Sequence, residues 1–287
     1  MNPANFPAFP IPVVAVGPGS QGEEAPDYLP MPQGMETFHA PRLPDDATPE
    51  ALAAAARVLG EFLDQAEARG LSGDAVLDLM AQPAGVREVI NQSLGFGEVS
   101  AFTTAPAYWR VQETAFAGIW RVLQLTADGH LLADHLQTGP VPAALGEIME
   151  RTASRELAAP DYPPGCMNAQ ALVEEIRMQA AAFNPGQGAH VINLTLLPVS
   201  ETDLDTLYAW LGHREVSILS RGYGNCRITS TRLANVWWVQ YFNSMDALIL
   251  NSIEVVAMPD VALAADEDFA DSVERLREYL ELMVEPL

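Results

Sequence analysis

Few groups in this sequence could do chemistry, and they form no catalytic pattern. There are two cysteines, Cys166 and Cys226, and five histidines, His39, His130, His135, His190 and His213. With no CxxC pair, neither a zinc ribbon nor a thioredoxin-type dithiol can be drawn. No HExxH and no Gly-x-Ser-x-Gly occurs. All 15 basic residues are Arg, which removes Schiff-base chemistry and a P-loop lysine. Gly17-Pro18-Gly19-Ser20 resembles a phosphate loop, but Pro26 and the acidic run around it deny it the helix such a loop must open. It reads as a turn. Glu98 and Glu215 recur at one register of two similar stretches, as do Arg110 and Arg227. Two copies of an enzyme site would be odd, so a structural hydrogen bond or ion pair between them is expected. What remains is a glycine-rich turn, Arg221-Gly222-Tyr223-Gly224-Asn225, followed by Cys226 and Arg227. Two glycines around a tyrosine suit a backbone that needs positive φ or close approach by another chain, with the ring as a rigid anchor. Tyr223, Arg221, Arg227, Gly222 and Gly224 are therefore the candidate partner-binding residues. No catalytic, cofactor or metal-binding residue is expected. The alternatives are an iron–sulfur carrier or redox accessory using a Cys thiolate, which one thiol serves poorly because clusters need several, or a duplicated small-molecule binding module.

That turn belongs to Leu211–Pro259, which reads as three strands: about Glu215–Ser220, a long one at about Arg227–Phe242, and about Ala247–Met258. Asn243, Ser244 and Asp246 turn the chain between the last two, as in an antiparallel meander. Shifted by 117 residues, Leu94–Pro142 aligns with it without a gap, and 12 of 49 positions are identical. Among them are Leu94/Leu211, Gly95/Gly212, Glu98/Glu215, Thr114/Thr231 and Trp120/Trp237. Composition alone would give roughly three, so an internal repeat is expected. The turn itself is not repeated, since the first copy has Ala105-Pro106-Ala107 there. Loops that diverge on a retained scaffold are where specificity tends to sit. Phe116, Gly118, Trp120 and Val122, like Leu233, Asn235, Trp237 and Val239, alternate onto one strand face, with the indole as a core anchor.

Around the two meanders, local signals predict helices. Thr48 and Pro49 open one at about 49–69, closed by Gly70. A short one is expected at about 73–82, and others at about 84–94, from Pro142 to about 156, at about 168–183, from Ser200 or Thr202 to Gly212, and at about 266–284. Residues 190–197 alternate into a strand. The expected fold is α+β. Two homologous repeats, 47–158 and 167–287, each pack an antiparallel β-meander with helices on one face. A linker at 159–166 joins them, and an extended Pro-rich segment, 1–46, holding ten of the 22 prolines, precedes them. The two sheets could instead join edge to edge.

The formal net charge is −23 and the pI near 4.3, which argue against nucleic acid and anionic membrane surfaces as partners. No apolar run reaches the roughly 20 residues of a membrane span. No basic and apolar leader opens the chain, so a reducing cytoplasmic setting is expected.

Several stretches resemble the HupH/HyaF family of hydrogenase expression/formation proteins: VGPGSQ, LPMPQGM, LGFGEVSA, HVINLTLLPVSETD, RGYGNCRITSTRLANVWWVQY and IEVVAMPDVALAADEDF. The resemblance spans nearly the whole chain. It implies a non-enzymatic accessory that acts in the cytoplasm on the iron–sulfur small-subunit precursor of an uptake [NiFe]-hydrogenase, before twin-arginine export. A thioredoxin-like HyaE/HupG-type protein is the implied companion. The family supplies no catalytic residues to carry over.

Overall fold

The structure is a computed structural model that describes Pro41, residues 47–222 and residues 224–284. The Pro-rich segment otherwise lies outside the described residues, as does Tyr223.

Helix α1 (Pro49–Arg69) starts where the Thr48 hydroxyl accepts the Ala51 N–H and ends at Gly70, φ 68°. Leu59, Phe62, Leu63 and Ala66 form its buried stripe, the spacing of one helical face. Next come β1 (Val76–Asp78), α2 (Ala84–Leu94), β2 (Val99–Thr103), β3 (Tyr108–Glu113), β4 (Ile119–Leu125), β5 (Leu131–Thr138) and α3 (Ala143–Thr152). Then follow α4 (Ala169–Ala182), β6 (His190–Asn193), α5 (Glu201–Leu211), β7 (Val216–Ser220), β8 (Asn225–Ser230), β9 (Val236–Phe242), β10 (Leu248–Val255), a 3₁₀ turn (Asp260–Ala262) and α6 (Asp266–Val284).

Among the described residues the ten strands form one antiparallel sheet, ordered β1-β5-β4-β3-β2-β7-β8-β9-β10-β6. The meanders thus join edge to edge through β2 and β7. That register runs from Val99 opposite Ser220 to Thr103 opposite Val216. It is symmetric about Ala101 and Ile218, which are themselves 117 residues apart. The strands β2 to β5 and β7 to β10, and the helices α2 and α5, keep the same offset at both ends.

Three expectations are corrected. The long strand at 227–242 is two strands, β8 and β9, folded about a turn. Thr231 accepts the Leu233 N–H and donates to carbonyls, and Asn235 takes φ 59°. Thr114 and Gly118 (φ 75°) do the same in the first meander. The turn also separates residues that alternation would group. Phe116 and Leu233 leave the cluster that holds Trp120 and Trp237. The short helix at 73–82 is instead a turn and β1, because Thr138 captures the segment: its hydroxyl accepts the Ala75 N–H and donates to the Gly73 carbonyl. Finally, helices cover both faces. The face carrying Val111, Trp120, Val122, Ile228, Trp237 and Val239 packs under α3 and the 3₁₀ turn. On the opposite face Ile119 and Leu136 lie under α1, α2 and α6, and Trp238 and Ile253 under α4 and α5.

The indoles hold the centre. Trp120 and Trp237 are 1% and 0% exposed, and donate to the Gly139 carbonyl (2.8 Å) and the Val256 carbonyl (3.1 Å). Burying about 200 Å² of indole at about 25 cal/mol per Å² contributes roughly 5 kcal/mol before conformational entropy opposes it. Helix α6 follows the second meander in sequence but packs into the first half's core through Phe269, Val273, Leu276, Leu280 and Met283. Arg277 of α6 bridges Asp64 and Glu67 of α1.

Candidate functional site

The glycine-rich turn lies where the two meanders meet. The Arg221 N–H donates to the Glu98 carbonyl at 3.1 Å, tying the turn to the residue just before β2. Gly222 is exposed, and a Cβ there would collide with the Glu98 carboxylate. Gly224 takes φ 102°. Gly224 therefore serves a left-handed backbone, while at Gly222 the exposed Glu98 side chain could yield to a Cβ. Arg227 places its guanidinium 4.3 Å from the centre of the Phe242 ring, within cation–π range. Asn225 pairs with Phe242, so the hairpin tip between β9 and β10 lies beside the turn. That tip exposes Met245 by 81%, with Ile249 at 56% on β10. These two residues were missed in the sequence because exposure at a hairpin tip leaves no periodic signal. Arg221, Gly222, Gly224 and Arg227 come together at this end of the sheet.

The expected pairing of Glu98 and Glu215 with Arg110 and Arg227 does not form. Glu215 pairs with Arg214 at 3.7 Å, Arg227 stacks on Phe242, and Arg110 is exposed. The register explains it: Arg227 stands opposite Leu219 and Arg110 opposite Phe102, each four residues along its neighbouring strand from Glu215 and Glu98, while Phe242 lies beside Arg227 on one strand face.

Cys226 is 1% exposed and hydrogen-bonded to Tyr241, and burial pushes its thiol up to about 12. A thiol held protonated is neither a nucleophile nor a ready metal ligand. Cys166 is half-buried; its Sγ lies 3.1 Å from Thr206 Oγ1 and 3.7 Å from the Thr202 carbonyl. Among the described residues no group of three or more His, Cys, Asp or Glu could hold a metal ion, and no helix is long and apolar enough to cross a membrane.

Two carboxyls are strongly perturbed. Glu113, at the end of β3, is pushed up to about 7 by burial and by Glu98, against opposing backbone hydrogen bonds from Gly118, Val99 and Glu98. In the second half Ser230 takes its place and accepts the Val216 N–H. Burial alone would raise Asp203, but hydrogen bonds from Ser200, Ala169 and Asn168 outweigh it and hold it at about 2. Asp203 closes the capping box of α5 with Ser200, and also accepts the N–H groups of Met167, Asn168 and Ala169 at the start of α4. Glu113 sits beside the Gly118 turn, and Asp203 locks the linker onto two helix ends. On the face that α1, α2 and α6 cover, Arg121 pairs with Asp134 across β4 and β5 at 2.8 Å. Trp238 and Asn251 stand at the corresponding places, and the indole donates to Asn251 at 2.6 Å.

Two cavities open away from this turn. One, of about 530 Å³, lies between the linker and α5, lined by Pro160, Asp161, Thr206 and Trp210 among others. The larger, of about 750 Å³, lies between α3, the end of α4 and the turn at Ala234 and Asn235.

Residues 52–154 and 166–283 match the family described as "HupH hydrogenase expression protein, C-terminal conserved region". The chain is 43% identical over 276 residues to the hydrogenase expression/formation protein HoxQ of Cupriavidus necator, covering 95% of this chain and 97% of the relative. It is 44% identical to HupH of Rhodobacter capsulatus, over 95% of this chain and 98% of that one. The hydrogenase-1 operon protein HyaF of Escherichia coli is 36% identical over 216 residues, 73% of each chain. With both matched segments on the described scaffold and similarity running nearly end to end, the chain belongs to the HupH family of hydrogenase expression/formation proteins.

Proposed function

We propose that this protein is a non-catalytic accessory in the maturation of an uptake [NiFe]-hydrogenase. In this reading it works in the cytoplasm, holding the iron–sulfur small-subunit precursor before twin-arginine export, beside a thioredoxin-like HyaE/HupG-type companion. The observation that carries the reading is the 43% identity over 95% of the chain to a relative named a hydrogenase expression/formation protein. The net charge of −23 supports it, because an acidic surface suits a basic targeting segment. The docking surface is assigned to the turn at 221–224 with Arg227, extended by the exposed Met245. The two halves are read as a duplication, supported by the shared offset of 117 residues in strands, hydrogen bonds and left-handed turns. The cluster-carrier alternative is disfavoured by a Cys226 thiol pushed up to about 12.

The test is co-purification of the small-subunit precursor with the tagged full chain from its host. Deletion of the gene should block small-subunit processing and hydrogenase activity. Intact processing and activity in the deletion strain, with and without oxygen, would sink the proposal.

A further inference from the structure

The two ends of the ten-stranded sheet are guarded differently. A sheet edge presents a row of unpaired N–H and C=O groups, which proteins blunt with charge, proline or a very short strand. At one end β1 has three residues and closes on Asp78, whose carboxylate accepts the Met80 N–H. At the other end β6, His190–Asn193, contains no proline, arginine or carboxylate. Its register against β10 is fixed. The Leu194 N–H donates to the Asn251 carbonyl at 2.9 Å, and Ile192 and His190 stand opposite Ile253 and Val255. These are the pairs that exchange bonds, so alternation turns the N–H and C=O of Val191 outward. The Val191 side chain is 53% exposed, and Leu196, in the turn that follows, is 76% exposed.

The uncompensated charge along this edge is negative. Met178–His213 and Leu233–Glu274, which supply β6, α5, β9, β10 and the 3₁₀ turn, contain no arginine. Val191 stands opposite Glu254, so the two side chains share a sheet face. Glu254 is half-buried, and burial, then Asp260, hold its carboxyl above the ordinary value. Among the described residues no arginine or histidine pairs with it. The cations nearby are already engaged. On the other face His190 pairs with Glu175 at 2.8 Å, and Arg177 of α4 is taken by Glu156 and Glu174. Arg227, three strands inward, lies over Phe242. Arg155 lies past the His190 end of the strand, with Glu150 in the groove at Pro185 and Ala257.

We infer that the outer edge of β6 takes up one strand from a protein partner, an extended segment that carries apolar residues and a basic one opposite Val191. Main-chain bonds to Val191 hold such a strand and its side chains give the choice of partner, the strand-addition mode of recognition. The residue opposite Val191 points to the Glu254 face. It stands two strand spacings, about 10 Å, from Glu254, so a long basic side chain leaning over Val191 meets the carboxylates of Glu254 and Asp260. A second copy of this chain fits poorly, because each would bring the same uncompensated acids and a net charge of −23 to the join. The inference rests on the small-subunit reading for the identity of the partner, and it places a second contact away from the glycine-rich turn.

The test uses the full chain and the hydrogenase small-subunit precursor from the same host. Val191→Pro removes the outward N–H, and an edge position whose N–H faces solvent tolerates proline. It should lower precursor capture at least tenfold with the melting temperature unchanged. Val191→Lys keeps the backbone but sets a positive charge beside Glu254; it should lower capture as well, and serves if the proline variant fails to fold. Val76→Pro, at the outward position of β1 between the bonded Ala75 and Leu77, should capture like wild type. Amide exchange reads the contact directly: the Val191 N–H should exchange at least tenfold more slowly in the complex than in the free chain. Capture that both Val191 variants retain, or a Val191 amide left unprotected in the complex, would overturn the inference and leave the small-subunit reading standing. So would a photo-crosslinking amino acid replacing Val191 that joins a second copy of this chain. Failure of wild type to capture the precursor at all would overturn that reading, and the inference with it.

Discussion

Replacing Glu113 by Gln should change how stability depends on pH, by an amount set by where the carboxyl sits. Glu113 is 8% exposed. Its pKa is pushed from 4.5 up to about 7, first by burial and then by Glu98, with backbone N–H groups of Gly118, Val99 and Glu98 pulling the other way. An acid whose pKa rises on folding binds its proton more tightly in the folded state. Its penalty is absent below the unfolded pKa, grows between about 4.5 and about 7, and is constant above. The full swing is about 3 kcal/mol, since each pKa unit is about 1.4 kcal/mol. Gln cannot ionise, so Glu113→Gln lacks this slope. Urea unfolding of both proteins at steps from about pH 4 to about pH 8.5 measures the difference. The variant should gain about 3 kcal/mol relative to wild type across that range, mostly below pH 7. Any fixed cost of a poorer hydrogen bond is the same at every pH and drops out. A difference that stays flat would refute the idea that this carboxyl is a desolvated acid.

Asp203, depressed from 3.8 to about 2, contributes stability that is present above its unfolded pKa and lost as pH falls through 2. Asp203→Asn should therefore cost about 2 kcal/mol at pH 7 and almost nothing near pH 2, read by thermal or urea unfolding. Gly118→Ala should destabilise by about 2–4 kcal/mol, combining a left-handed backbone with overpacking against Leu71 and Phe269. Asn235→Ala, at the corresponding half-buried turn, carries only the left-handed backbone cost and should cost clearly less; equal costs would deny the difference between the two turns. Tyr223→Ala should weaken capture of the small-subunit precursor by about 1–3 kcal/mol with little change in melting temperature. Joint loss of binding and stability would make the ring a packing residue.

The helices were legible because their signals are local. Thr48, Pro49 and Gly70 bound α1 at 49–69, and Ser200, Asp203 and Gly212 bound α5 at 201–211. Cap side chains bond N–H groups two or three residues away, so sequence proximity carries the information. The strands were legible as apolar, β-branched stretches, but their divisions were not. The run at 227–242 holds no proline or glycine, and its turn depends on Thr231 and a left-handed Asn235. At the candidate site Gly224 gave the turn away, because its left-handed backbone is a need intrinsic to glycine. The neighbours that define the surface, Glu98 and Met245, come from other strands and left no mark near them.

By itself, the sequence determined the lengths and caps of most helices, the offset of 117 residues, the acidic surface and the family resemblance. All of these live in residue identity and short-range spacing. Only the tertiary structure decided that the meanders join into one sheet through β2 and β7, and that α6 crosses to complete the first half's core. It also decided that Thr138 holds β1 in place of a helix, that Arg227 meets Phe242 rather than a carboxylate, and that Glu113 is buried. Each is a contact between groups far apart in the chain, and sheet edges and apolar helix faces are non-specific until the whole core selects which partner they bury against.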